Sequence, residues 1–158
     1  MKIMTSYFYQ IRNMKPYMIP LSTAVWDPKW FHQNKGHSFQ WIDKNGVING
    51  LRADPFVPGK GCEGLCSGPP CGSEPRYCNF LQAYKNQLDD LNYDNILWRF
   101  QTLGYLIQNE LQFQEDPVYI LLVHEAYNNP CSERWMIQKY FNKHGLECRE
   151  FNKGELAE

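Results

Sequence analysis

Six consecutive apolar residues, Val118-Tyr119-Ile120-Leu121-Leu122-Val123, follow Pro117. A run of this length, rich in β-formers and without polar alternation, is the pattern of a strand covered on both faces. Such a strand needs a layer above and a layer below, which makes the chain an α/β domain. Helices to build those layers can be read on either side of it. Phe80, Leu81, Tyr84, Leu88 and Leu91 recur at spacings of three and four, with Gln82, Lys85, Asn86 and Asp89 opposite. Ile96, Leu97, Phe100, Leu103, Ile107 and Leu111 form a second stripe, with Asp94 as its expected N-cap. A third helix is expected from Pro130, with Asn129 as N-cap and Gly145 just past its end. Residues 146 to 151 read as a last strand, so the C-terminal third is strand, helix, strand. A right-handed parallel crossover is the default for that unit.

At the other end, Lys2 to Phe8 reads as a buried first strand and residues 17 to 25 as a second. Pro20 cannot donate to a ladder, which assigns the second strand to an edge or a bulge. From Trp26 to about Arg76 the pattern breaks at Asp27-Pro28, Asn45-Gly46, Asn49-Gly50 and Asp54-Pro55, all turn formers. A loop this long in a compact domain is functional or tied down internally. With 158 residues and 43% hydrophobic content the chain suits one domain. We place that domain at residues 1 to 151, with a Cys-rich loop at 58 to 78 and a flexible tail at 152 to 158.

Sixteen Lys and Arg against seventeen Asp and Glu leave a net charge of -1. That balance lacks the positive field of nonspecific nucleic-acid binding. No apolar stretch approaches the roughly 20 residues that span a bilayer, and Met1-Lys2-Ile3 opens without the pattern of a signal peptide. The expectation is a cytoplasmic protein without a membrane role, in a compartment where thiols stay reduced.

Lys2-Ile3, Thr5-Ser6-Tyr7-Phe8, Ile19-Pro20-Leu21-Ser22 and Pro28-Lys29-Trp30 resemble the opening of the uncharacterised YeaO-like family, domain of unknown function 488. The run Ile120 to Glu125, then Pro130-Cys131-Ser132-Glu133-Arg134, resembles that family's second signature: a strand, a Glu, and Cys-His-Arg opening a helix. Glu125 and Cys131 match directly. Ser132-Glu133 stands where the family has His, and Arg134 comes one residue late, so the chain resembles a divergent member with a Cys-rich insert. The likeness covers roughly residues 1 to 30 and 118 to 151, and it implies a Rossmann-like, mostly parallel sheet flanked by helices.

In such sheets ligands bind outside the carboxyl ends of the strands. His124, Glu125, Cys131, Ser132 and Arg134 fall at that edge, and Ser6 ends the first strand. A helix starting at Asn129 would put Cys131 in its first turn, where exposed amides and the macrodipole lower a thiol pKa. Cys131 and Glu125 are then the catalytic candidates, and Arg134 can hold a phosphate or carboxylate bidentately. The bland alternative is a small buried Cys, with Glu125 or Glu133 paired to Arg134 as a structural clamp.

Cys62, Cys66, Cys71 and Cys78 make a second constellation, spaced by three, four and six residues. Four thiolates suit tetrahedral zinc, or an iron-sulfur cluster, and a metal would order the loop; thiols without a metal, or disulfides, are the alternatives. His32 and His37 read as a surface loop more than as a ligand pair, and Arg52 with Asp54 as a turn-stabilising ion pair. No dinucleotide or nucleotide-triphosphate loop is present. The functional expectation is therefore a small enzyme or sensor that binds an anionic, nucleotide-like ligand at residues 124 to 134. Its rival is a noncatalytic interaction module whose Cys-rich, metal-tied loop meets a protein partner.

Overall fold

The computed structural model describes residues 1–65 and 74–152. Its centre is a four-stranded, all-parallel sheet in the order β2-β5-β1-β6, formed by β1 (Lys2–Tyr7), β2 (Met18–Ser22), β5 (Val118–Val123) and β6 (Cys148–Glu150). Two short antiparallel strands, β3 (Trp41–Ile42) and β4 (Ile48–Asn49), make a separate ribbon. Every residue of β5 is buried, as its unbroken apolar run requires, and it pairs with β1 on one side and β2 on the other. Pro20 sits opposite Ile120 in β2, an outermost strand of the sheet, so its missing N–H costs no internal ladder bond.

Alternation along the strands divides the core. Ile3, Ile19, Leu21, Tyr119, Leu121 and Val123 face one layer. That layer consists of α1 (Asn79–Asp89), α2 (Tyr93–Leu111) and α3 (Arg134–Lys143), which contribute Leu81, Tyr84, Leu88, Ile96, Phe100, Ile107, Ile137 and Phe141. Met4, Met18, Val118, Ile120 and Leu122 face the opposite side, where Phe8, Ile11, Met14, Phe31 and Val47 cover them. Cover here comes from 3-10 turns and loop rather than from α-helices. The long stretch after β2 is thus not a slack connection: it contributes Ala24, Phe31 and Val47 to that layer.

Helix boundaries follow capping chemistry, with two departures from the sequence pattern. The α2 N-cap is Asn92, whose side chain accepts the Asn95 N–H at 3.0 Å, and Asp94 lies inside the first turn. The start of α3 is Arg134 and not Pro130. Asn129 spends its side chain locally, its Oδ1 accepting the Cys131 N–H at 2.9 Å, and this closes a turn ahead of the helix. At the far end, Gly145 does take the left-handed conformation just past α3, at φ +87°.

The connections place the working edge. The chain leaves β1 through the turn at Phe8–Asn13 onto one face of the sheet, and leaves β5 toward α3 on the other. Neighbouring strands whose exits diverge in this way open a crevice at their carboxyl ends, the usual ligand position in open α/β sheets. No helix among the described residues is long and apolar enough to cross a membrane.

Candidate active site at the carboxyl edge of the sheet

A cleft of about 520 Å³ lies beyond the carboxyl ends of β2 and β5. Thr23, Val25, Trp26 and Phe80 wall it on one side, and His124, Glu125, Cys131 and Glu133 on the other. The volume falls within the usual range for small-molecule sites. The walls are largely apolar and aromatic, and the polar groups converge from one short segment.

That segment is positioned by buried hydrogen bonds. The Ser132 hydroxyl donates to Glu125 Oε2 at 3.2 Å and accepts the N–H of Arg134, the first residue of α3, at 3.3 Å. Trp135 Nε1 donates to the Asn129 carbonyl at 2.9 Å and pins the loop to the helix. His124 is exposed, with Nε2 against the Trp26 carbonyl at 2.8 Å and its ring between Phe8 and Trp26, at centroid distances of 5.1 and 5.3 Å.

Arg134 is 0% exposed. It runs back under the sheet edge, where Nη2 donates to the Glu125 carbonyl and Nε lies 3.5 Å from Glu150 Oε2. Glu150 also accepts from Thr5 Oγ1 at 2.7 Å, and Thr5 Oγ1 in turn accepts from Gln138 Nε2 at 2.7 Å. Burial pulls the Arg134 pKa down, against the surrounding acidic groups that support its charge. The guanidinium ties α3 to the segment after β5 and to β6 and is not among the residues lining the cleft; the carboxylate it pairs with is Glu150, where the clamp alternative had Glu125 or Glu133. Ser6 is likewise buried, and its hydroxyl donates to the Phe151 carbonyl at 2.9 Å. Cys131 does reach the cleft, but from the turn three residues ahead of α3, so the helix-start amides invoked for its activation belong to later residues.

The unusual group is Glu133. Burial, and then the neighbouring Glu125 carboxylate to which it is hydrogen-bonded, push its pKa up to about 7 from an ordinary 4.5. Two carboxyl groups in one apolar cleft cannot both ionise without cost, which favours the protonated form of Glu133. The same shift governs stability. The unfolded chain loses this proton near 4.5 and the folded chain near 7, so folding should weaken as pH rises through that interval and stay weaker above it. Glu133→Gln should flatten that dependence and raise the melting temperature at pH 8. Thermal denaturation across pH measures it, and an unchanged pH profile in the variant would contradict the assignment.

A second polar cluster lies beside the cleft, around Asp27 at the end of β2. The Ser22 hydroxyl donates to Asp27 Oδ1, Arg52 Nη1 lies 2.7 Å from Oδ2, and His32 Nε2 lies 2.6 Å from Oδ2. His32 is 4% exposed, which corrects its reading as a surface-loop residue; His37 alone remains at the surface. Arg52 also lies 3.5 Å from Asp54, as the ion-pair reading expected, but its closer partner is Asp27.

Of the four clustered cysteines, Cys66 and Cys71 lie outside the described residues. Cys62 is buried, with its thiol 3.8 Å from Gln87 Oε1, and burial raises its pKa. Cys78 borders the cleft just before α1.

Fold and site together define the class: an α/β domain with an all-parallel sheet, flanking helices and an acidic, aromatic-walled cleft at the carboxyl edge. The chain matches no family model, no curated protein and no solved structure.

Proposed function

We propose that the protein is a small Rossmann-like enzyme that holds a flat, nucleobase-like ring in the cleft at residues 124 to 134 and exchanges a proton with it through Glu133. The observation that carries this reading is the pair of carboxyl groups, Glu125 and Glu133, lining one cleft, where burial and then Glu125 push the Glu133 pKa up to about 7. A general acid or base works best with a pKa close to the operating pH. Glu125, held by the Ser132 hydroxyl, adds to the upward shift that burial produces. Trp26, Phe80 and the His124 ring provide flat apolar surfaces for a ring to lie against.

The ligand's charge follows from the same residues. An anionic group would meet two carboxyls in the cleft, while Arg134 is enclosed beneath it. We therefore assign the recognised part to the ring and not to a phosphate. The resemblance to the YeaO-like family belongs to this proposal as a likeness of sequence segments, and it brings no activity with it.

Calorimetric titration with adenosine and cytidine, their monophosphates and inorganic phosphate tests the reading. At least one nucleoside should bind saturably, with affinity that changes through pH 7, and its monophosphate should bind more weakly. Trp26→Ala should lower the affinity, and Glu133→Gln should abolish its pH dependence. Absence of nucleoside binding, or tighter binding of the phosphorylated forms, would overturn it.

A further inference from the structure

We propose that Asp27, His32 and His37 form a binding site for a divalent first-row metal ion, with zinc as the natural candidate. One potential ligand atom from each of the three residues lies within 4.8 Å of the others. Two imidazoles and a carboxylate are a common donor set for zinc and its neighbours in the first transition row.

The hydrogen-bond pattern around His32 carries the inference. Its Nδ1 faces the Phe39 carbonyl at 3.1 Å, and a carbonyl can only accept, so the proton belongs on Nδ1. The Nε2 lone pair then points at Asp27 Oδ2 from 2.6 Å. Arg52 Nη1 lies 2.7 Å from the same oxygen, the pairing of a guanidinium with a carboxylate. A lone pair therefore meets a carboxylate oxygen, and the contact needs a cation between them. That cation is either a second proton on the ring or a metal ion. A backbone carbonyl on the far nitrogen is also the arrangement that orients metal-binding histidines.

The remaining contacts fit a metal centre. Ser22 fixes Asp27 Oδ1 and Arg52 takes one side of Oδ2, which leaves the other side of Oδ2 directed at His32. His37 Nδ1 is 3.9 Å from Oδ2, its ring packs 5.5 Å from that of His32, and its side chain is 65% exposed, so it can move inward. The chain turns back to bring it there through Gln33, Asn34 and Gly36, all at positive φ. Around tetrahedral zinc, with bonds of about 2.0–2.1 Å, ligand atoms stand about 3.3–3.4 Å apart. Reaching that spacing asks the His32–Asp27 contact to open and His37 to approach Asp27 by less than an ångström each, with His37 also closing on His32 from within 4.8 Å. Three protein ligands leave a fourth position open. With Arg52 beside the ion the local charge is positive, so water, hydroxide or a small anion would fill it.

Cobalt(II) titration of the full chain, followed by absorption spectroscopy, tests the site and separates it from the four cysteines. The expected result is saturable binding with a component free of thiolate-to-metal charge-transfer bands. That component should weaken by at least about tenfold in His37→Ala, the loss seen when even an outer hydrogen-bond partner of a metal ligand is removed. His37 is exposed, so the variant should fold, and an unchanged circular dichroism spectrum checks this. Zinc should displace the cobalt. No saturable binding, only thiolate-bearing spectra, or a spectrum and affinity unaltered by His37→Ala would each overturn the proposal; the second of these would place the metal on the cysteines.

Discussion

Leu121→Asp is expected to abolish folding. Leu121 is 0% exposed in the middle of β5, with Thr5 of β1 and Leu21 of β2 in register on either side and the helical layer packed above it. An aspartate there would put a carboxylate among the apolar side chains that build that layer. The penalty for a buried, unpaired carboxylate is several kcal/mol even after relaxation, and the lost leucine packing adds about 2–5 kcal/mol. Their sum reaches the whole stability of a typical domain, about 5–15 kcal/mol. The variant should lose its cooperative thermal transition and partition into the insoluble fraction on expression. Leu121→Ala, which removes only the packing, should still fold with a lowered melting temperature. A soluble Leu121→Asp variant with a cooperative transition would show that β5 is not the interior strand of the sheet.

The strand that this substitution tests was readable because its pattern has no competitor: six apolar residues in a row leave no face for solvent. Pro20 was equally informative, since a missing N–H restricts the strands it can occupy. Two of the helices could be read for the same reason, their stripes being fixed by burial at spacings of three and four; the third rested on its expected terminal residues. The start of α3 was not legible. Asn129-Pro130 carries the local chemistry of a helix N-terminus, but that chemistry is satisfied within a turn, and Ser132 accepts the N–H of the first helical residue a few residues later. Local signals report that a cap exists; they do not report which of two neighbouring polar residues closes the turn and which opens the helix.

The candidate sites show a sharper version of the same limit. The sequence picked out His124, Glu125 and Cys131 because they follow a legible strand, and the structure places all three at the cleft. It did not single out Glu133 as a proton carrier, because the shift depends on burial and on an approach of two carboxyl groups that spacing does not encode. The Asp27 cluster was less accessible still. Ser22, Asp27, His32 and His37 are spaced by five, a period that belongs to neither helix nor strand, and Arg52 joins them through a bridge beside Ser22. Only the path of the loop brings them together. The available hint was Asp27-Pro28 immediately after an edge strand, which marked a turn and nothing about its charge.

Arg134→Ala should cost about 3–5 kcal/mol of stability, because it breaks a buried ion pair by removing one partner. The guanidinium joins three elements: it starts α3, donates to the Glu125 carbonyl after β5, and lies against Glu150 at the end of β6. Removing it leaves the 10%-exposed Glu150 side chain without that countercharge, the Glu125 carbonyl without its donor, and a void between the Tyr7 and Trp135 rings that the guanidinium now approaches at 5.6 and 5.8 Å. Two further variants separate these contributions. Arg134→Met fills most of the void but restores no charge, so it should recover only part of the loss. Combining it with Glu150→Gln removes the charge that faced Arg134 and still lets Thr5 Oγ1 donate to the side-chain oxygen, so the double variant should be more stable than Arg134→Met alone. Chemical denaturation of the wild type, Arg134→Met, Glu150→Gln and the double variant gives the coupling directly, with a magnitude of about 0.5–3 kcal/mol expected for residues in contact. If Arg134 instead served the cleft, Arg134→Ala would keep near-native stability and the two substitutions would add without coupling. That pattern would return Arg134 to the role of an anion anchor and remove the main reason for assigning an uncharged ligand to the cleft.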